Sequence, residues 1–117
     1  MNTLIILNDP PYGTERSYNG LRLALALKKR EGVNSVTVFL IGDAVLCANT
    51  GQKTPDGAYN IERMVKGVAT GDGQVMVCGT CLDARGLSDE GLVKGARRST
   101  MSELAEASAA ADKVMVF

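Results

Sequence analysis

Four short and almost uninterrupted runs of apolar residues constrain the fold of this chain more than any other feature. They occupy residues 4–7, 36–41, 75–77 and 114–117. Runs that are apolar at every position, and rich in Val and Ile, are typical of strands buried on both faces of a parallel sheet. Between them, apolar residues recur at helical spacing. The alternation predicts an α/β fold in three layers, with a central, mostly parallel sheet and helices on both of its faces.

Residues 96–99 offer one further short strand, so the predicted sheet has four to five strands. The predicted helices cover residues 18–30, 61–69 and 101–109. Gly32 and Gly71 follow the first two of them, at the position where glycine often ends a helix. No internal repeat and no linker interrupts this pattern, and residues 1–117 are therefore expected to form a single domain.

The composition excludes several classes of function. The chain contains no histidine, which rules out Ser-His-Asp and Cys-His catalysis and imidazole metal ligands. Its 13 Lys+Arg balance 13 Asp+Glu, so the net charge is zero. This argues against a nucleic-acid partner, because binding to the phosphate backbone needs an excess of basic residues. The first residues lack the positive region of a signal peptide, and their apolar run is too short to span a membrane. We therefore expect no membrane partner.

Three cysteines occur without secretory features, which predicts a cytoplasmic location, where thiols serve chemistry or packing rather than disulfide bonds. Cys47 lies on a short apolar turn and is expected in the core. Cys78 and Cys81 form a Cys-x-x-Cys pair directly after the third apolar run. This pair is the strongest candidate for chemistry in the sequence.

The first predicted helix is apolar around nearly its whole circumference, through Leu21, Leu23, Ala24, Leu25, Ala26 and Leu27. A helix that is apolar on more than one face is usually covered twice, once by its own sheet and once by something else. One interpretation is a subunit interface, and hence a homo-oligomer. The other is that the alanines are simply good helix formers.

Ligands of an open parallel sheet bind at the carboxyl ends of its strands. In this chain those ends lead into residues 8–14, 42–43 and 78–86, which are expected to share one crevice. Cys78 opens the third of these loops. Gly79 follows it and lets backbone amides approach an anion.

Other neighbours in this loop favour a reactive thiol. Arg85 adds a cation, and a helix predicted to start at residues 88–90 adds further amides. Such surroundings lower the pKa of a thiol and make it nucleophilic near neutral pH. The alternative is that Cys78 is a buried, apolar strand residue, and that Arg85 is an ordinary solvated arginine.

The Cys-x-x-Cys spacing itself has three interpretations. A zinc site is the weakest, because the chain offers three thiols and no histidine for four ligand positions, so no metal and no cofactor is predicted. Thioredoxin-like dithiol exchange is the second, although that motif normally opens a long helix and here a loop is expected. The third is one reactive thiol, Cys78, with Cys81 as an accessory or resolving thiol.

The first loop supplies the other candidate binding residues. Pro10 and Pro11 stiffen it, so Asp9 and Tyr12 are expected to wall the crevice, although a rigid turn would have the same sequence. Residues 49–57 contain no apolar side chain and are predicted to be a mobile flap. Asp43 and Asp83 are expected to orient loops without touching sulfur.

These residues resemble the DsrE/DsrF-like family of small sulfur-relay proteins, which includes TusD-type and YchN-like proteins. The resemblance covers the whole chain and rests on residues 11–14 (Pro-Tyr-Gly-Thr), Cys78 at the end of the third strand, residues 85–86 (Arg-Gly), residues 89–90 (Asp-Glu), residues 104–108 (Leu-Ala-Glu-Ala-Ser), residues 112–114 (Asp-Lys-Val) and Phe117. It implies an α/β fold assembled into trimers or hexamers, with the reactive cysteine near a subunit boundary.

The resemblance also implies a function. Cys78 matches the cysteine on which active members hold sulfur as a persulfide, in sulfurtransferase-like exchange with a donor or acceptor protein. Arg85 and nearby amides would then stabilise the sulfur, with Asp9, Tyr12 and Gly79 beside it. Cys81 has no counterpart in the relay subunits. Dithiol redox chemistry, or a non-catalytic scaffold role, therefore stays open beside sulfur relay.

Overall fold

The central sheet has five strands, all parallel to their neighbours. A computed structural model describes all 117 residues. The strands are β1 (Asn2–Leu7), β2 (Ser35–Leu40), β3 (Gln74–Cys78), β4 (Ala96–Ser99) and β5 (Lys113–Val116). Their spatial order is β4-β3-β2-β1-β5. The predicted parallel α/β sheet is confirmed, and residues 96–99 form its fifth strand.

Helices cover both faces of the sheet, as the sequence predicted. They are α1 (Arg16–Lys28), α2 (Ile61–Ala69), α3 (Gly79–Ala84) and α4 (Met101–Ala110). Helices α1 and α2 pack side by side against β1, β2 and β3. Helix α4 lies on the other face, where Ala107 and Ala110 line a shallow cavity together with Thr37 and Met76. Paired residues on neighbouring strands point to the same face of a sheet. Leu4, which pairs with Thr37, therefore points toward α4 and away from α1.

Helix α1 is anchored on both sides within this chain. Leu21 and Ala24 are buried against the sheet, while Leu25 packs beside Gly67 of α2. Lys28, at the end of α1, donates hydrogen bonds from Nζ to the carbonyl oxygens of Gly67 and Val68, at 2.8 and 3.0 Å. The side chain thereby satisfies carbonyls at the end of α2. Part of the second apolar face of α1 is thus covered by α2 rather than by another subunit.

Strand β5 departs from the predicted burial. Its membership of the sheet was expected, but Val114 is 44% exposed and Val116 is 65% exposed, so burial on both faces is wrong for this strand. The reason is its place at the edge beside β1, where α4 does not cover those two side chains. None of the helices is both long and apolar enough to cross a bilayer.

Candidate functional site

Cys78 is the last residue of β3 and the residue that caps the beginning of α3. The sequence predicted a loop over residues 78–86, and this prediction is wrong, because a short helix begins directly after Cys78. The helix predicted at residues 88–90 is only a 3-10 turn, Asp89–Gly91. The amides that approach the thiol therefore belong to α3, the helix on which the Cys-x-x-Cys pair itself lies.

Two donors contact the sulfur of Cys78. The backbone N–H of Cys81 donates to Sγ at 3.3 Å, and the Thr80 hydroxyl lies 3.3 Å from the same atom. Burial raises the pKa of Cys78, which is only 7% exposed, but hydrogen bonds from Cys81 and Thr80 outweigh burial. The pKa of Cys78 consequently lies below its ordinary value, and a larger fraction of this residue is thiolate than in an ordinary cysteine.

Cys81 has its own set of neighbours. The backbone N–H of Gly42, at the carboxyl end of β2, donates to Cys81 Sγ at 3.2 Å. Burial and the hydrogen bond and charge of Cys78 raise the pKa of Cys81 above its ordinary value, against the opposing effects of Gly42 and Arg85. The two thiols are thus unequal. Cys78 is the stronger acid and Cys81 holds its proton.

Arg85 lies beside Cys81 rather than beside Cys78. Its Nη1 donates to the carbonyl oxygen of Cys81 at 3.0 Å. Its Nε and Nη2 donate to Asp43 Oδ1, at 3.0 and 2.7 Å. Asp43 thereby fixes a cation next to Cys81 and touches no sulfur, in agreement with the role predicted for it.

A second arginine, Arg98 on β4, holds the first turn of α3. Its Nη1 donates to the carbonyl oxygen of Gly79 at 3.1 Å, and its side chain forms ion pairs with Asp83 at 3.1 Å and Asp89 at 2.8 Å. A Cβ on Gly79 would lie 2.9 Å from Arg98 Nη1 and 3.2 Å from the Ser99 carbonyl oxygen. Gly79 is therefore needed for this close approach, and Asp83 orients the site as predicted.

Sequence reasoning missed Thr80 and Arg98, and it placed Gly42 at the shared crevice without assigning it a contact with sulfur. Thr80 lies inside the Cys-x-x-Cys motif, and its hydroxyl was an available signal. Gly42 and Arg98 reach the site only through the order of the strands, which places β2 on one side of β3 and β4 on the other. No motif in the sequence specifies that order.

Asp9 and Tyr12 lie in a second group, on the β1 side of the same edge. Asp9 Oδ2 accepts a hydrogen bond from Thr14 Oγ1 at 2.9 Å. Tyr12 Oη donates to Gln52 Oε1 at 2.7 Å and accepts from the N–H of Ile61 at 3.3 Å. None of their hydrogen bonds or ion pairs reaches either cysteine of the pair. The hydrogen bonds of Asp9 and Tyr12 therefore tie them to the β1 side, and their predicted place in the wall of the crevice stays a prediction.

The segment predicted as a mobile flap is tied down by Gln52. Gln52 Nε2 donates to the carbonyl oxygens of Cys47 and Asn49 at 3.0 and 2.8 Å. The backbone N–H of Gln52 donates to Glu62 Oε1 at 2.9 Å, and Asn60 Nδ2 donates to its carbonyl oxygen at 3.3 Å. These bonds fix the middle of residues 49–57 against α2. Polar composition alone did not indicate them.

Cys47 lies in this second group and is fully buried, as the sequence predicted. It is part of a 3-10 helix, Gly42–Ala48. Burial raises the pKa of Cys47 to about 12. Its thiol approaches the carbonyl oxygen of Asp9 at 3.8 Å. No group of three or more Cys, Asp or Glu side chains is arranged to hold a metal ion, and the Cys78 site itself offers two sulfur atoms.

Comparison with known proteins identifies relatives over the full length of the chain. A model of the DsrE/DsrF-like family matches residues 1–117. Protein YchN of Escherichia coli strain K12 is 40% identical over 114 residues, which are 97% of each chain. An uncharacterized protein of Methanocaldococcus jannaschii, MJ0989, is 36% identical over 117 residues, all of both chains. The crystal structure of the E. coli YchN protein superposes with a TM-score of 0.91 at 39% identity and covers 99% of this chain and 98% of that one.

Proposed function

The chain belongs to the DsrE/DsrF-like family, and on that premise we propose that it is a cytoplasmic, sulfurtransferase-like sulfur carrier that holds sulfur as a persulfide on Cys78. The supporting observation is the position of the Cys78 sulfur at the carboxyl end of β3, within 3.3 Å of both the Thr80 hydroxyl and the Cys81 amide. Sulfur transfer requires a thiolate, and these two hydrogen-bond donors stabilise the thiolate form of Cys78.

Loading is an exchange between sulfur atoms. The Cys78 thiolate attacks the outer sulfur of a persulfide on a donor, and the sulfur–sulfur bond of the donor breaks. The donor leaves as a thiolate with the bonding electron pair, and Cys78 holds the outer sulfur as a persulfide. Transfer to an acceptor thiolate is the same exchange in the other direction. The donor or acceptor protein is the partner that this proposal requires.

The test is the intact mass of the reduced protein after incubation with a small-molecule persulfide such as glutathione persulfide. A sulfur carrier gains roughly 32 Da for each sulfur atom held. We expect this gain in the wild-type protein and in Cys81→Ser, and we expect none in Cys78→Ser. A gain that survives in Cys78→Ser would contradict the assignment to Cys78.

Dithiol redox chemistry is the second candidate, because Cys81 lies one helical turn from Cys78 and its backbone N–H donates to Cys78 Sγ at 3.3 Å. A redox protein would lose about 2 Da on oxidation and regain it with a dithiol reductant, and either cysteine substitution would abolish the change. A protein that neither takes up sulfur nor forms this disulfide would be a scaffold or binding subunit instead.

We also propose that the chain forms a homo-oligomer, a trimer or a hexamer. Support comes from three of the large apolar side chains that the single chain leaves exposed, namely Met101, Val114 and Val116. Two of them lie on the edge strand β5, and burying them against another copy would remove apolar surface from water. Light scattering at micromolar concentration should give a multiple of 12.3 kDa, whereas a mass of 12.3 kDa would contradict the proposal.

A further inference from the structure

A carrier that works through Cys78 alone has no need of the groups arranged around Cys81. The Gly42 N–H donates to Cys81 Sγ at 3.2 Å. Gly42 has a φ of +59°, a backbone conformation that favours glycine and that belongs to this turn at the end of β2. Arg85 stands beside Cys81 because Asp43 holds it by two hydrogen bonds. A hydrogen-bond donor and a cation are the groups that favour a sulfur anion at this position.

The two thiols are also placed for reaction with each other. Cys78 caps α3 and Cys81 is on the first turn of that helix, so the Cys81 amide meets Cys78 Sγ at 3.3 Å. The spacing places both side chains at the same end of this helix. Arg98 keeps this turn in place through the carbonyl oxygen of Gly79. The two sulfur atoms therefore belong to one fixed turn, in which each lies close to the other's neighbours.

Resting on the function proposed above, we propose that Cys81 discharges the Cys78 persulfide and releases sulfide. Cys81 gives up its proton to solvent, and its thiolate attacks Sγ of Cys78, so that a bond forms between the two cysteine sulfurs. The bond from Cys78 to the outer sulfur breaks, and that sulfur leaves as hydrosulfide with the electron pair. The products are a Cys78–Cys81 disulfide and one hydrosulfide ion. An external dithiol reductant returns the disulfide to two thiols for another cycle.

The structure explains why Cys81 waits until sulfur has been loaded. Burial, the hydrogen bond to Cys78 and the negative charge of Cys78 all keep the pKa of Cys81 high. Persulfide formation moves that charge away from the Cys78 sulfur, so the pKa of Cys81 falls while the opposing influence of Gly42 and Arg85 remains. The charged and titratable groups that act on Cys81 are Cys78 and Arg85, with Asp43 behind the arginine. Loading of the first thiol thus activates the second.

The experiment follows both products with time. The anaerobic, reduced protein is loaded with glutathione persulfide, desalted, and sampled for intact mass and for free sulfide. In the wild-type protein we expect the adduct of roughly 32 Da to disappear while a species about 2 Da lighter than the thiol form appears with an equal amount of sulfide. In Cys81→Ser we expect the adduct to last at least about tenfold longer, without disulfide.

A pair of arginine variants tests the role of the cation. Arg85→Gln should release sulfide several-fold more slowly than the wild-type protein, with the rate expressed per mole of adduct formed. Arg97→Gln is the matched control, because Arg97 pairs with Glu103 and contacts neither cysteine. Its release rate should equal that of the wild type. Equal release rates in all three proteins would exclude Arg85 from the step.

Two outcomes separate the failure of this inference from the failure of the proposed function. If the wild-type adduct persists as long as that of Cys81→Ser, with neither disulfide nor sulfide, Cys81 does not discharge the persulfide, but Cys78 remains the carrier. If no variant takes up sulfur, the carrier function itself is wrong. The wild-type measurement needs no substitution, so a variant that fails to fold leaves the result intact.

Discussion

Cys47 and Cys78 occupy the same edge of the sheet and differ in nearly every property that governs a thiol. Cys47 is fully buried, and burial raises its pKa to about 12. Cys78 is almost as buried, at 7% exposed, yet hydrogen bonds from Cys81 and Thr80 place its pKa below the ordinary value. The comparison teaches that the donors around a sulfur atom, rather than its depth, determine whether a cysteine is inert or reactive.

The same division extends to the residues around the two cysteines. On the β1 side, Tyr12 donates to Gln52, which in turn donates to the carbonyl oxygen of Cys47. Asp9 accepts a hydrogen bond from Thr14. These bonds form a fixed framework. On the β3 side, Arg85 and Thr80 surround two thiols that can exchange bonds. One half of this edge is therefore structural and the other half is the candidate reactive site.

The rate of alkylation gives the largest expected difference. At pH 8 the Cys78 peptide should react with iodoacetamide at least about 10³ times faster than the Cys47 peptide in the folded protein, because alkylation requires thiolate. The rate at Cys78 should level off at a lower pH than that of a free cysteine, since its pKa is lowered. Cys47 should show no plateau below pH 12. Peptide mass spectrometry after timed quenching measures both sites.

Denatured protein is the control for this comparison, because the two cysteines should then react at similar rates. Comparable rates in the folded protein would break the distinction between the two thiols. Thr80→Val, which keeps the shape and removes the hydroxyl, should move the Cys78 plateau to higher pH. An unchanged profile in that variant would show that the hydroxyl does not stabilise the thiolate.

Gly79→Ala should have the next largest effect. The added Cβ would lie 2.9 Å from Arg98 Nη1 and 3.2 Å from the Ser99 carbonyl oxygen, so either the Arg98 side chain or the first turn of α3 has to shift, and the hydrogen bond between them weakens. We expect the free energy of unfolding to fall by about 1–3 kcal/mol. Sulfur uptake at Cys78 should fall as well, since the donors to its sulfur belong to that turn. Urea unfolding and the mass assay measure the two effects.

Gly67→Ala is the matched control for that substitution. Its Cβ would meet only the end of the flexible Leu25 side chain, at 3.0 Å, and alanine favours the helix by roughly 1 kcal/mol over glycine. We expect stability equal to or above that of the wild type, with unchanged sulfur uptake. A Gly79→Ala protein as stable as Gly67→Ala would show that Arg98 does not require the glycine.

Tyr12→Phe should have the smallest effect and tests whether the β1 side takes part in chemistry. The change removes the hydroxyl that donates to Gln52 and accepts from the Ile61 N–H. The expected loss is about 1 kcal/mol of unfolding free energy, as for one hydrogen bond. Sulfur uptake and sulfide release should equal those of the wild type. A slower sulfur uptake would place Tyr12 at the reactive site and would contradict a purely structural role for the β1 side of this edge.

Features set by residues close together in the sequence could be predicted, whereas features set by contacts between distant segments could not. The strands could be predicted because nearly every residue of a run is apolar, and Cys78 could be predicted as a site residue because it ends such a run. The short helix α3 was missed because a glycine next to a cysteine favours a loop when neighbours are unknown. In the structure, the Cys78 sulfur accepts a hydrogen bond from the Cys81 N–H and caps the helix.

The hydrogen-bond partners of Asp9 and Tyr12 could not be predicted, because they depend on what lies between β1 and β3. Strand β2 stands between them, and the segment after it, Gly42–Ala48, contacts both groups. Its first residue, Gly42, donates to Cys81, while Cys47 near its end approaches Asp9. One short 3-10 helix therefore joins the two groups at this edge of the sheet.

The pairing of β1 with β5 has a consequence for the order of folding. Asn2 donates its N–H to Asp112 Oδ2 at 2.7 Å, across 110 positions of the chain. Contacts between such distant segments form late, because closing the long intervening loop costs entropy before any bond is gained. Until β5 docks, β1 presents an open row of amides and carbonyls, the feature on which partly folded chains aggregate. Refolding yield should accordingly fall as protein concentration rises.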